Sequence, residues 1–152
     1  MLFLLIGLII IVADQLSKLW IRANLADGEM LFRVGFFRIV HIQNTGAAFG
    51  LFRDYSFILL LVASAGMIAI LVYGFIGYRH FSWLNNLPAT IALGLVLGGT
   101  VGNLIDRLRD GYVTDFIDFT YWPAFNVADS AITIGAILFA YVLLHSMRAQ
   151  KQ

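Results

Sequence analysis

LFLLIGLIIIVADQLSKLWI, residues 2–21, is apolar enough to cross a bilayer and is broken only by Asp14 and Lys18. About 20 predominantly apolar residues suffice for a helix to span the hydrocarbon. The pattern runs through Asp14 to Trp20 with no basic leader and no small-residue cleavage site, so it reads as a retained transmembrane helix. Three further stretches match it. Ser56–Tyr78 carries no acid, lysine or arginine until its end. Pro88–Ile105 opens on a proline suited to a first helical turn, and Val127–Ser146 closes the set. Of the 152 residues, 61% are hydrophobic and 12% charged, with mean hydropathy +0.86. Soluble domains carry roughly a quarter charged residues. The fold class predicted is a mainly α integral membrane protein with four transmembrane helices, forming a single domain over residues 1–152.

Between the first two spans lies a long connection, residues 22–55. Phe32, Val34, Phe36, Val40 and Ile42 recur there between Arg33, Gly35, Ile39 and His41, a period of two that predicts a strand or hairpin. The run Asn44–Gly50 then turns. A small sheet lying on the membrane is expected from this connection. In the third span Gly94, Gly98 and Gly102 form one stripe, read as close helix packing. An even number of spans puts both termini on one side. All nine acids and seven of the ten bases then fall towards the other side, net −2 against +3. Counting Lys and Arg alone would make the seven-base side cytoplasmic. Several of those bases are committed to acids, so composition leaves orientation open.

A formal net charge of +1 gives no basic field for nucleic acid. There is no cysteine, hence no thiol nucleophile or thiolate metal site. His41, His80 and His145 lack metal-ligand spacing, and neither a His-Glu-x-x-His nor a Gly-x-Ser-x-Gly motif occurs. No metal or cofactor is expected.

The acids are the informative residues. Asp14, Asp106, Asp115, Asp118 and Asp129 sit in or beside apolar spans, where an ionised carboxylate costs several kcal/mol by order of magnitude and marks function by default. Asp14 and Lys18 share a helix face and can pair; the plainer alternative is an interfacial pair with Lys18 snorkelling to water. Asn103, Asp106 and Arg107 share a face at the end of the third span. Arg107 is placed either to hold a carboxylate through a forked hydrogen bond or to satisfy the last helix carbonyls. Asn126 and Asp129 have the spacing of an N-cap and its N3 acid. Yet the connections also bring Asp115 and Asp129 to one end of the bundle. Two adjacent carboxylates share a proton and titrate as a unit. One can then activate water while the other protonates, without metal or covalent intermediate. A small proton-coupled membrane carrier is the alternative, but no repeated halves or broken helices support it. A purely structural membrane subunit would explain the cap but not the crowding of acids at one end.

The blocks Asp14-Gln15-Leu16-Ser17-Lys18, Asn44-Thr45-Gly46-Ala47-Ala48-Phe49, Gly98–Arg107, Val113-Thr114-Asp115-Phe116 and Phe125-Asn126-Val127-Ala128-Asp129 together resemble bacterial lipoprotein signal peptidases, the signal peptidase II family. The resemblance runs the length of the chain, in order. It implies an aspartyl endopeptidase that cleaves prolipoproteins just before a cysteine already carrying diacylglycerol, and that globomycin inhibits. It implies four helices with cytoplasmic termini in the bacterial inner membrane, and an extracytoplasmic active site under a β-cradle. Partners would be prolipoprotein substrates and bilayer phospholipid, with the enzyme a monomer. The positions matching the family's catalytic pair are Asp115 and Asp129. Asp14, Lys18, Asn44, Gly46, Asn103, Asp106, Arg107 and Asn126 match its supporting positions. Asp106 lies in the more conspicuous motif, yet the resemblance points to Asp115. Thr114 stands where a small apolar residue is equally expected.

Overall fold

A computed structural model describes residues 2–46, 56–72, 76 and 86–149. In chain order they form α1 (Leu2–Asn24), β1 (Met30–Val34), β2 (Phe37–Asn44), α2 (Ser56–Val72), α3 (Leu87–Asp110), β3 (Val113–Phe119), β4 (Trp122–Phe125) and α4 (Val127–Ala149). Helices α1, α3 and α4 are each long and apolar enough to cross a bilayer. The end of the predicted Ser56–Tyr78 span, and residues 47–50 of the Asn44–Gly50 turn, fall largely outside the described residues.

The most enclosed span is α3, which packs against α1, α2 and α4. Its glycines explain the closeness. A Cβ on Gly94 would lie 2.8 Å from the Phe3 carbonyl oxygen, and one on Gly98 would lie 2.7 Å from that of Gly7. On the next face, a Cβ on Gly99 would lie 2.3 Å from the Ala128 oxygen. Backbones this close gain the dispersion contacts that hold helices together where lipid offers no hydrophobic contrast. Outward, Leu8, Ile9 and Leu19 of α1 and Ile134, Ile137 and Leu144 of α4 are exposed. Such continuous apolar cover suits acyl chains, and the protein is a multi-pass membrane protein.

The start of α3 follows the sequence reading. Asn86 accepts the Ala89 N–H at 2.8 Å and Pro88 occupies the first turn. Its end does not. The helix runs past Ile105 to Asp110 and stops where Gly111 adopts φ 77° and returns its N–H to the Arg107 carbonyl. Polar residues do not end a helix; a residue that tolerates the left-handed cap does. The helix thus extends beyond the predicted Ile105 bound and includes Asp106 and Asp110.

The sheet is antiparallel, in the order β1-β2-β3-β4, and two of its strands come from the second connection. From sequence, Val113–Phe119 reads as no more than a strand-like or turning stretch. Val113–Phe116 is buried residue after residue, so β3 lacks the half-buried alternation that marks a strand, and Pro123 disguises β4. A proline can sit in β4 because that strand is a sheet edge, where a missing ladder donor is tolerated. Phe32, Phe37, Phe119 and Phe125 contact in series across all four strands, with ring centroids 5.4–5.9 Å apart. Ile21 and Leu25 at the end of α1 pack with Phe116, which anchors the sheet to the bundle.

Candidate active site

Asp115 leaves β3 and Asp129 leaves the first turn of α4, and both line one cleft of about 550 Å³. Its walls are Asn44, Gly46, Asn103 and Arg107, with strand β4 and Ser130–Ile134 at the rim. Asp115 accepts from Asn126 Nδ2 through one oxygen and from Asn44 Nδ2 through the other, both at 2.8 Å. Asp129 accepts from Asn103 Nδ2 at 2.8 Å and from the Asn126 N–H at 3.2 Å.

Each asparagine is oriented by what its oxygen accepts. The Asn44 oxygen takes the Gly46 N–H (2.9 Å), that of Asn103 takes Lys18 Nζ (2.9 Å), and that of Asn126 takes the Asp129 N–H (2.9 Å). With each oxygen occupied, the NH₂ end must face a carboxylate. The Asn126–Asp129 reciprocity is the predicted capping arrangement. Here the cap and the site are one structure, because Asn126 also donates through Nδ2 to Asp115.

Burial pushes the Asp115 carboxyl up from its ordinary 3.8 to about 7, and the Asp129 charge adds to the rise. The Asn44 and Asn126 hydrogen bonds and the Lys18 charge act in the opposite direction. Desolvation and a like charge both favour a bound proton.

Beneath the cleft lies a second layer. Lys18 Nζ sits 2.9 Å from Asp14 and 3.0 Å from Asp106, and all three side chains are 0% exposed. Lys18 therefore does not snorkel. It turns inward because two carboxylates and an amide oxygen await it. Asp14 also accepts the Ala128 N–H at 3.0 Å, satisfying an otherwise unpaired donor at the start of α4. Asp106 accepts from Gln15 Nε2 and from the Thr114 N–H, each at 3.1 Å, and pairs with Arg22 at 3.5 Å. Two acids and two bases cancel, the condition under which buried charges persist.

Of the two roles open to Arg107, the structure shows the one that satisfies carbonyls and not a forked grip on a carboxylate. Its guanidinium donates to the Asn103 carbonyl (3.4 Å) and the Gly46 carbonyl (3.3 Å), tying α3 to the end of β2. Its charge still acts on Asp129, Asp115 and Asp106 through space. Asp118 points away from the cleft and pairs with Arg38 across the β2–β3 ladder. Alternation along β3 requires it, since Asp115 and Asp118 have opposite parity. Gln15, Arg22 and Thr114 escaped sequence reasoning. Arg22 could have been found, because Asp14, Lys18 and Arg22 repeat every four residues on one helix face. Thr114 gave no signal. Among the described residues no group of His, Asp and Glu has the makeup of a metal centre.

The sequence model of the family described as signal peptidase (SPase) II matches residues 6–145. A lipoprotein signal peptidase of Dehalococcoides mccartyi strain CBDB1 is 51% identical over 84% of this chain and 79% of its own. One of Moorella thermoacetica is 43% identical over 93% and 92%. A bacterial membrane enzyme solved by the in meso method at 2.3 Å superposes with TM-score 0.83 at 30% identity, covering 95% of this chain and 88% of that one. A second, at 1.9 Å, gives TM-score 0.78 at 31% identity, covering 93% and 92%. Helices that cross the bilayer and two carboxylates opening on one cleft define an aspartic peptidase of the membrane, a hydrolase. The chain belongs to the signal peptidase II family.

Proposed function

We propose that Asp115 and Asp129 are the catalytic acids of a lipoprotein signal peptidase. The substrate is a diacylglyceryl-modified prolipoprotein, cut just before the lipidated cysteine. The observation that carries this reading is the pair itself: two carboxylates on one cleft, each on its own asparagine, with Asp115 inclined to hold a proton near neutrality. Asp129 acts as base. It removes a proton from water as the water oxygen bonds to the scissile carbonyl carbon. Asp115 gives its proton to the carbonyl oxygen. Collapse of the resulting diol breaks the C–N bond: Asp129 returns its proton to the leaving amine nitrogen, and Asp115 takes back a hydroxyl proton as the carbonyl re-forms. Asn44, Asn103 and Asn126 keep both carboxylates aimed at the water, while the Arg107 charge steadies the anionic state.

The whole chain, residues 1–152, works as one membrane-embedded peptidase domain and as a monomer. Its termini are cytoplasmic and its cleft opens on the extracytoplasmic face of the bacterial inner membrane. Substrate enters laterally with its acyl chains in the bilayer, and strand pairing along the cleft holds the peptide extended. The apolar exterior and the open side of the cleft favour such entry. The test is cleavage of a diacylglyceryl-modified preprotein by purified protein in detergent, with and without globomycin. Cleavage blocked by globomycin, and lost in both Asp115→Asn and Asp129→Asn, is expected. Turnover by either variant near the wild-type rate defeats the pair.

A further inference from the structure

Asp115 must be held to within about 0.5 Å of its working position for such chemistry, yet the ladder beside it is irregular. Pairing between β2 and β3 runs Ile39↔Ile117 and then shifts to Ile42↔Asp115, so two residues of β2 stand against one of β3. A bulge of this kind bends and twists the strands beside it, after which the ladder continues Gln43↔Thr114 and Asn44↔Val113. Thr114, the residue before Asp115, is also held from outside the sheet. The Thr114 N–H donates to Asp106 of α3 at 3.1 Å, and the Thr114 carbonyl accepts from Asn126 Nδ2 at the start of α4 at 3.3 Å. The Thr114 hydroxyl oxygen accepts from Arg22 Nη1 of α1 at 3.1 Å. One residue is thus tied to three helices, and its side chain is fully buried.

Arg22 adds a second observation. Its contacts to Asp106 and Asp110 are each 3.5 Å, at the outer limit of a hydrogen bond, whereas Thr114 is closer. Its Nη2 is buried with no partner among the described residues. The guanidinium is therefore placed for the hydroxyl rather than for a fork on either carboxylate. A valine would fill the same volume as Thr114 but offer no acceptor.

We propose that Thr114, gripped by Arg22, is a positioning residue that sets where β3 presents Asp115. This rests on Asp115 being a catalytic acid. Successive side chains on a strand point to opposite faces, so anchoring Thr114 on the bundle side turns Asp115 towards the cleft. Arg22 and the carboxylates of Asp106 and Asp110 hold the anchor.

Steady-state cleavage of a diacylglyceryl-modified preprotein tests it, with wild type, Thr114→Val, Thr114→Ser, Arg22→Gln and the double variant Arg22→Gln/Thr114→Val. Thr114→Val is expected to lower kcat about tenfold, as slight misplacement of a reacting group does. Its KM stays within about twofold of wild type, because residues that bind substrate are untouched. Thr114→Ser restores kcat. The double variant loses no more than the worse single variant, the signature of two groups acting as one. The near-isosteric Thr114 pair decides the matter even if Arg22→Gln fails to fold. Wild-type kcat in Thr114→Val, failure of serine to rescue, or losses that multiply in the double variant overturns the proposal. Asp129→Asn runs alongside: activity in that variant would sink the catalytic pair itself, a separate result from wild-type behaviour of Thr114→Val.

Discussion

Four aspartates lie within two layers of one another and meet opposite company. Asp115 and Asp129 take their hydrogen bonds from amide groups, while Asp14 and Asp106 lean on Lys18 and Arg22. An amide donor steadies a carboxylate without cancelling its charge, so the pair at the cleft can still exchange a proton. In the lower layer a buried ammonium lies between two carboxylates and offsets their charge, so those acids are tied up in holding the helices together. Residue type is thus shared, and function is decided by the neighbour.

The largest expected effect breaks that contrast at the cleft. Asp129→Asn keeps an acceptor for the Asn126 N–H, so the start of α4 should hold while turnover falls by about 10²–10⁴-fold. Asp115→Asn should do the same, and both should keep wild-type insertion and thermal midpoint in detergent. In the lower layer the signs reverse. Lys18→Met leaves two carboxylates buried without their shared cation and should destabilise the fold by about 3–5 kcal/mol. Thermal unfolding in detergent measures this, and an unchanged midpoint would mean the cluster is not the keystone described.

A pH series sharpens the comparison. A carboxyl raised from 3.8 to about 7 holds more protons folded than unfolded within that window. Its contribution to stability is therefore intact below the unfolded value and is lost as pH rises through the folded one. Cleavage should also decline above about pH 7 as Asp115 loses the proton it donates. In Asp129→Asn one of the two causes of the rise is gone. The carboxyl stretch of Asp115, followed by infrared difference spectroscopy, should then titrate lower than in wild type. A smaller effect is expected at Asp118, which shares β3 with Asp115 but pairs with Arg38 outside the cleft. Asp118→Asn removes the buried half of an ion pair, so it should lower the thermal midpoint while leaving kcat near wild type; a dead enzyme would show that the cleft extends further than drawn.

Much of this was readable before any coordinates. Hydropathy alone marked the spans, because a bilayer imposes a length. The glycine stripe announced close packing, and Gly94 and Gly98 do press against α1. Asn126 as a cap with Asp129 as its acid was visible as spacing, whereas Asp115 was set above Asp106 by the family resemblance. The hidden parts have physical reasons. The end of α3 depended on Gly111 reaching φ 77°, a backbone property that the preceding charges obscure. Strand β3 was masked by burial on both faces. Arg107 stayed open between two roles because one of its acceptors, the Asn103 carbonyl, lies a turn back on its own helix, while the other, that of Gly46, is brought in by a distant connection. Thr114 carries no marker at all, since a hydroxyl's worth is set by whichever arginine arrives from the other end of the chain.

Because Asn126 and Asp129 bond to each other in both directions, winding the first turn of the last helix also sets the Asp129 carboxylate at the cleft. On the proposed roles, fraying that one turn would disarm the protease, so its hydrolytic competence would be tied to the integrity of a single helix end.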